Sequence, residues 1–295
     1  MTAPDVCLAL LTAVLWGFAF VATRIGLDSF PPALLVALRF TIASVVVVLV
    51  PRPAVSWPLL IATGITLFAG QFLFQFFGFV NGMPPGLGAL VVHTQALFTV
   101  LFAAMFLGER PTLRQGAGLA IAFVGLAVIV ATTGQDLRLL GFLLTLTSAV
   151  SWGIGNIFLK RIGKAATLDL MVWLSVVVPL PALAVTLTAD GPAALAASVA
   201  NASMRSWLAA LYLGLVGTIV AYSLWGRLLR RYPVALVAPF SLLVPFVGAL
   251  SSAVVFGERF GPLRLAGMGC VLLGLAVSVV PVARWVPARR ARVAP

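Results

Sequence analysis

The chain has 295 residues, 62% of them hydrophobic, with only 19 Lys or Arg and 7 Asp or Glu. A soluble domain carries about 25% charged residues; this chain has 9%, which excludes a water-soluble fold. The net charge of +12 does not point to nucleic acid, because the basic residues lie scattered between apolar runs and not on one solvated face.

Two cysteines, Cys7 and Cys270, support neither a disulfide framework nor a thiolate metal site. They are expected to be small buried apolar residues, and no metal or cofactor is expected. The start, MTAPDV, lacks the basic region of a secretory signal, so the first apolar run is read as a retained span.

Hydrocarbon about 30 Å thick needs about 20 apolar residues of helix. Runs of that length predict ten spans: 8–25, 32–50, 57–80, 85–107, 113–132, 139–159, 169–189, 207–229, 234–256 and 263–283. With both termini cytoplasmic, the inner loops and tail collect Arg52, Arg110, Arg114, Lys160, Arg161, Lys164, Arg227, Arg230, Arg231, Arg284, Arg289, Arg290 and Arg292. The outer loops hold Arg24, Arg138, Arg205, Arg259 and Arg264, so the positive-inside rule places both termini in the cytoplasm.

Along the chain, span one carries Trp16, Phe20 and Arg24 on one helix face. Span two holds Arg39, about 10 Å from its start by helical rise. A charge at that depth faces an interior cavity or a partner: either it binds a solute carboxylate, or it snorkels toward Asp28 or caps backbone carbonyls. On span three, Gln71 and Gln75 share a face, as glue between helices or as solute contacts. Span four has His93, Thr94 and Gln95 near mid-membrane, and His93 is the only histidine. Proton coupling through that ring and a neutral, hydrogen-bonded ring both stay open.

Span four ends in Gly-Glu-Arg at 108–110, and the same triplet follows span nine at 257–259. Glu109 and Glu258 are expected to be helix stops and interfacial anchors and not ion sites. In span five Gly118 and Gly125 are seven apart, as are Gly267 and Gly274 in span ten, which points to close helix packing more than to a hinge. Span six repeats the first pattern with Trp152, Asn156 and Lys160; the two tryptophans frame a central cavity or pack two halves together. Tyr222 and Trp225 on span eight offer an aromatic wall with polar handles. Span nine contains Pro239 and Pro245, each of which frees a carbonyl four residues earlier and predicts a broken helix facing protein or a cavity.

The triplets mark an internal repeat. Glu109 and Glu258 are 149 residues apart, and the same offset aligns Pro84 with Pro233 and GLAVIV with GLAVSV. An offset of 136 aligns AVLWGFAF (13–20) with AVSWGIGN (149–156). The expected domains are 1–134 and 135–284, each of five spans, followed by a basic cytoplasmic tail, 285–295. Five is odd, so the second unit enters the membrane from the opposite side. The fold class is therefore an all-α polytopic membrane protein made of two inverted five-helix repeats, an arrangement characteristic of transporters. An intramembrane enzyme would need a paired Asp, a metal cluster or a nucleophile with its base at membrane depth, and a channel a ring of charges or carbonyls; neither pattern is present.

Taken together, AVLWGFAF, ALRF, GQF, GMPPGLGALV, FLGER, SWGIGNIF, VAPFSLLVPFVG and VFGER resemble the drug/metabolite transporter superfamily, in its branch of ten-span exporters with two EamA domains. The chain looks most like the exporters of cysteine and O-acetylserine in bacterial inner membranes. That resemblance implies export of amino acids or their metabolites by alternating access, with other small metabolites or drugs as the alternative. It also implies a pocket drawn from spans three, four, eight and nine, hence Gln71, Gln75, His93, Gln95, Tyr222, Trp225 and Ser241 beside Arg39, Trp152 and Asn156. No acid stands in span one where the small multidrug exporters of the superfamily need a glutamate, which argues against cationic drugs. The expected partners are a small-molecule substrate and the lipid bilayer; the oligomeric state is left open, a monomer included.

Overall fold

A computed structural model describes residues 1–134, 136–163 and 167–279. Among them every element is helical, and ten helices are long and apolar enough to cross a membrane. These are Ala3–Gly26, Pro32–Leu49, Trp57–Val80, Pro85–Leu107, Leu113–Val130, Leu139–Ile162, Asp169–Ala189, Met204–Arg231, Leu236–Phe256 and Pro262–Val279, hereafter spans one to ten.

The limits fall within a few residues of the sequence expectation, and the differences have local causes. Span one begins earlier because Pro4 sits in the first turn, where a missing amide removes no hydrogen bond. Span eight starts at Met204, where the Ser203 hydroxyl accepts from the Ser206 amide and supplies an N-cap. The interval before it, expected to be loop, contains the alanine-rich helix Gly191–Asn201. Cys7 is exposed and Cys270 half-buried, not buried as expected. Lys164, the tail 285–295 and the expected end of span ten lie outside the described residues.

Six spans are irregular; span two tightens into a 3-10 turn at Val45–Leu49, and span seven is interrupted at Val178, before Pro179. Spans three and eight widen into π-helical turns at Ile65–Gly70 and Tyr212–Val220. Wide turns shift backbone groups out of the regular ladder, and in a membrane those groups need partners. The Ser151 hydroxyl donates to the Thr66 carbonyl at 2.7 Å, and the Trp16 indole N–H donates to the Gly217 carbonyl at 3.2 Å. Span nine is interrupted at Leu242, with Pro239 inside the preceding segment, as its prolines predict. Span four is interrupted at Thr94 without a proline; there the Thr94 hydroxyl donates to the Val91 carbonyl at 2.6 Å.

Two buried apolar clusters hold the bundle. One joins spans one, two, three, seven and eight around Phe40, Phe68, Phe76 and Leu174. The other joins spans one, three, four, five, six, nine and ten around Leu87, Leu90, Ile129, Val244 and Val271. Spans five and ten pack along the paired glycines. A Cβ at Gly125 would lie 2.7 Å from the Gly267 carbonyl oxygen, and one at Gly274 would lie 2.5 Å from that of Gly118. The close-packing reading of these glycines is thus the one the structure bears out.

Charged pairs pin the helix ends. Arg264 at the start of span ten is buried and donates to both Asp136 carboxylate oxygens, at 2.9 and 2.7 Å. Those bonds hold the Asp136 carboxyl below the usual carboxylate range. Asp5, at the start of span one, accepts from the Tyr232 hydroxyl at 2.7 Å and pairs with Arg231 at 3.0 Å.

Candidate functional site

Arg39 is only 4% exposed. Its Nε donates to the Thr218 hydroxyl at 3.1 Å, and its guanidinium carbon stands 4.0 Å from the centroid of Phe72. The wide turn of span eight is what presents Thr218, whose hydroxyl donates to the Leu213 carbonyl five residues back at 2.9 Å. No carboxylate pairs with Arg39 among the described residues. The snorkelling alternative fails, because Asp28 is held by Arg24 at 2.5 Å and Arg39 stays inside, stacked on an aromatic face as guanidinium groups prefer.

Around it runs a continuous aromatic network. Phe72 leads to Phe68 at 6.2 Å, and Phe68 touches Trp152 at 6.0 Å and Tyr222 at 5.9 Å. Trp16 joins Tyr222 and Trp225, each at 5.3 Å. Four expected site residues, Arg39, Trp152, Tyr222 and Trp225, therefore share one contact network, with Trp16 and Trp152 packing the first and second halves of the chain together. Phe68, Phe72 and Thr218 were not singled out in the sequence. The signal was there: Thr218, Tyr222 and Trp225 follow an i, i+4, i+7 spacing on one helix face, as do Phe68 and Phe72.

The remaining expected residues make their hydrogen bonds elsewhere. Gln71 donates to the Gln75 side-chain oxygen at 2.7 Å, so the pair bonds along its own helix and does not glue span three to a neighbour. The Oε1 atoms of Gln71 and Gln95 are buried without a protein partner. Asn156 donates to the Thr99 hydroxyl at 2.9 Å, linking span six to span four. Ser241 donates to the Ala238 carbonyl of its own segment at 2.7 Å.

His93 meets the Ala89 carbonyl through Nδ1 at 2.6 Å, so Nδ1 carries a proton, because a carbonyl oxygen only accepts. No ion pair reaches the ring among the described residues. Replacing His93 with Gln is expected to leave the pH-gradient dependence of transport unchanged; flux into liposomes with and without an imposed gradient checks this.

Beside Thr218 and Tyr222, Ala43, Met171 and Ser175 help to enclose a void of about 10 Å³, room for a single water. A larger cavity of about 400 Å³ lies elsewhere, between Leu90, Pro245, Phe246, Phe260, Met268 and neighbouring apolar side chains. It contains none of the expected site residues. A groove with no polar group to orient a solute, and flanked by exposed Phe246, Leu250 and Leu265, is a hydrocarbon-facing surface.

The two Gly-Glu-Arg corners differ. Each glycine is left-handed, Gly108 at φ 66° and Gly257 at φ 68°, so each helix ends in the same αL turn. Glu109 then pairs with Lys160 at 2.9 Å in an exposed position, as an interfacial anchor should. Glu258 does not. It turns back into the protein, accepting from the Ser252 hydroxyl at 2.5 Å and from the Gly86 amide at 3.2 and 3.3 Å. Burial raises its carboxyl above the ordinary carboxylate range, against the lowering effect of those hydrogen bonds. Gly86 opens span four and Glu109 follows its other end, so the two corners lie at opposite ends of that helix.

A sequence profile described as the EamA-like transporter family matches residues 4–131 and 139–280. The chain is 40% identical over 292 residues to the "Probable amino-acid metabolite efflux pump" of Escherichia coli (strain K12), covering 97% of each chain. It is 41% identical over 286 residues to the protein of the same name in Salmonella typhimurium, covering 95% of this chain and 96% of that one. With the "Probable terminal-alkyne amino-acid exporter" of Streptantibioticus cattleyicolor it shares 30% identity over 276 residues, 90% of each. A solved crystal structure at 20% identity superposes with a TM-score of 0.63, covering 94% of this chain and 98% of that one, which speaks to the fold alone.

Proposed function

We propose, from the premise that this chain belongs to the EamA-like transporter family, that it exports amino acids or amino-acid metabolites, such as cysteine or O-acetylserine, across a bacterial inner membrane. The mechanism is alternating access, carried by two inverted five-span repeats, 1–134 and 135–284, with both termini in the cytoplasm. Three things support that architecture: the repeat offsets, the two separate profile matches, and the position of the Gly-Glu-Arg corners at opposite ends of span four.

The observation that carries the solute assignment is Arg39, a buried guanidinium with no carboxylate among the described residues. A buried cation is stable only when something compensates it, and a solute carboxylate is the anion an amino acid supplies. Thr218 and Phe72 hold the guanidinium in place, while Tyr222 and Trp152 give the apolar walls. The unpartnered oxygens of Gln71 and Gln95 are acceptors suited to an ammonium group. The void beside Thr218 admits one water and no solute, so a solute reaches Arg39 only after the helices rearrange.

Counterflow in liposomes tests this reading. Purified protein is expected to exchange labelled cysteine, O-acetylserine, threonine or an aromatic amino acid in a saturable way. Exchange of a cationic dye with no amino-acid exchange would refute the assignment.

A further inference from the structure

Resting on the alternating-access reading, we propose that the two Gly-Glu-Arg corners are alternating latches: Glu258 on the Gly86 amide locks one end of the bundle here, and in the opposite conformation Glu109 locks the other end on the Ala235 amide.

The partners follow from the repeat. The 149-residue offset that aligns Glu109 with Glu258 also aligns Gly86 with Ala235, each two residues after a proline, Pro84 or Pro233. Pro84 and Pro85 have no amide hydrogen, so the Gly86 N–H is the first donor of span four. It stands at the positive end of a helix, where a carboxylate is favoured. Ala235 lies in the first turn of the segment Val234–Ser241, where Val234 carries an amide hydrogen of its own, so the Ala235 N–H is the second donor at that helix end and not the first.

The 136-residue offset aligns Lys160 with Arg24. In this structure Glu109 rests on Lys160 and Arg24 on Asp28. On switching, Glu109 leaves Lys160 for Ala235, and Glu258 leaves Gly86 for Arg24.

Packing agrees with a lock at the Gly86 end. A Cβ on Gly86 would meet the Glu258 carboxylate at 2.7 Å, Ser252 at 3.0 Å and the Ala249 backbone at 3.1 Å, and one on Gly248 would meet Ala89 at 2.5 Å. Here the start of span four and the end of span nine lie against each other. The second half of span four packs instead on span six, with Phe98 and Phe102 against Gly153. Because both corners share the same αL glycine turn, the difference between them lies in what each carboxylate binds and not in local backbone.

The two latches are unequal. The Ser252 hydroxyl that donates to Glu258 has Ala103 as its counterpart at the 149-residue offset, so the Glu109 latch has one hydrogen bond fewer. The arrangement seen here is therefore the resting one.

Pulsed spin-label distance measurements on the full chain in nanodiscs test this, in a background with Cys7→Ser and Cys270→Ala. Labels at Asn81 and Arg259 report one end; labels at Arg110 and Arg230 report the other. Glu258→Ala is expected to move the population toward a wide Asn81–Arg259 distance and a narrow Arg110–Arg230 distance by about tenfold, the effect of losing a charge-assisted hydrogen bond. Ser252→Ala should shift it the same way by a smaller factor, and Glu109→Ala the opposite way. Should Glu258→Ala not fold, the Ser252 and Glu109 variants decide alone. Two exchanging distances in the unsubstituted chain whose proportions none of these variants changes would overturn the latch only. A single distance at each end, with or without amino acid, would overturn alternating access as well.

Discussion

Replacing Arg39 with Gln is expected to cut counterflow of a carboxylate-bearing amino acid by about 10- to 100-fold, the equivalent of one charge-assisted hydrogen bond of about 1.5–3 kcal/mol. The amide analogue of the same solute, which offers no anion, should lose far less. Thermal stability is expected to hold or rise, since the substitution removes a buried cation whose desolvation no carboxylate among the described residues offsets. Those two readouts together separate a binding role from a structural one. Arg39→Lys should fall between: it keeps the charge but gives up the planar stack on Phe72, at 4.0 Å. Equal loss of the acid and its amide in Arg39→Gln would refute the ion-pair role.

The second large effect concerns spans five and ten. Gly274→Ala places a carbon 2.5 Å from the Gly118 carbonyl oxygen and 2.7 Å from the Ala122 amide nitrogen. Backbone cannot yield as the tip of a flexible side chain can, so the two helices must separate, at about 3 kcal/mol, the upper end of what overpacking usually costs. Gly269→Ala on the same helix meets nothing within 4 Å and should be neutral or slightly stabilising, because alanine is the better helix former. Unfolding in detergent followed by tryptophan fluorescence compares the pair. Equal midpoints for the two variants would mean that the glycine seam does not hold the bundle.

Much of the fold was legible in the chain. Ten spans follow from hydropathy, since each stretch must be apolar enough for lipid whatever it packs against. The proposed repeat rests on spacing alone, whereas the glycine seam follows from a seven-residue interval that keeps two small residues on one helix face. The break in span nine follows from its prolines. The break in span four carries no such mark, because Thr94 satisfies Val91 with its own hydroxyl, a bond many threonines make without interrupting a helix. The helix Gly191–Asn201 was missed for a related reason: its alanines carry no apolar stripe that would distinguish it from a loop.

The site divides along the same line. That Arg39 needs a cavity or a partner was decided by its depth in span two; that it stays inside, stacks on Phe72 and bonds Thr218, 179 residues away, was decided by which helices lie side by side. The sequence likewise presents Glu109 and Glu258 as equals, each after a glycine and before an arginine. Only tertiary packing separates them, setting one against Lys160 in the open and the other over the amide that begins span four. Hydropathy and periodicity act within a helix and can be read along it, whereas the partner of a buried polar group depends on contacts between segments far apart in the chain.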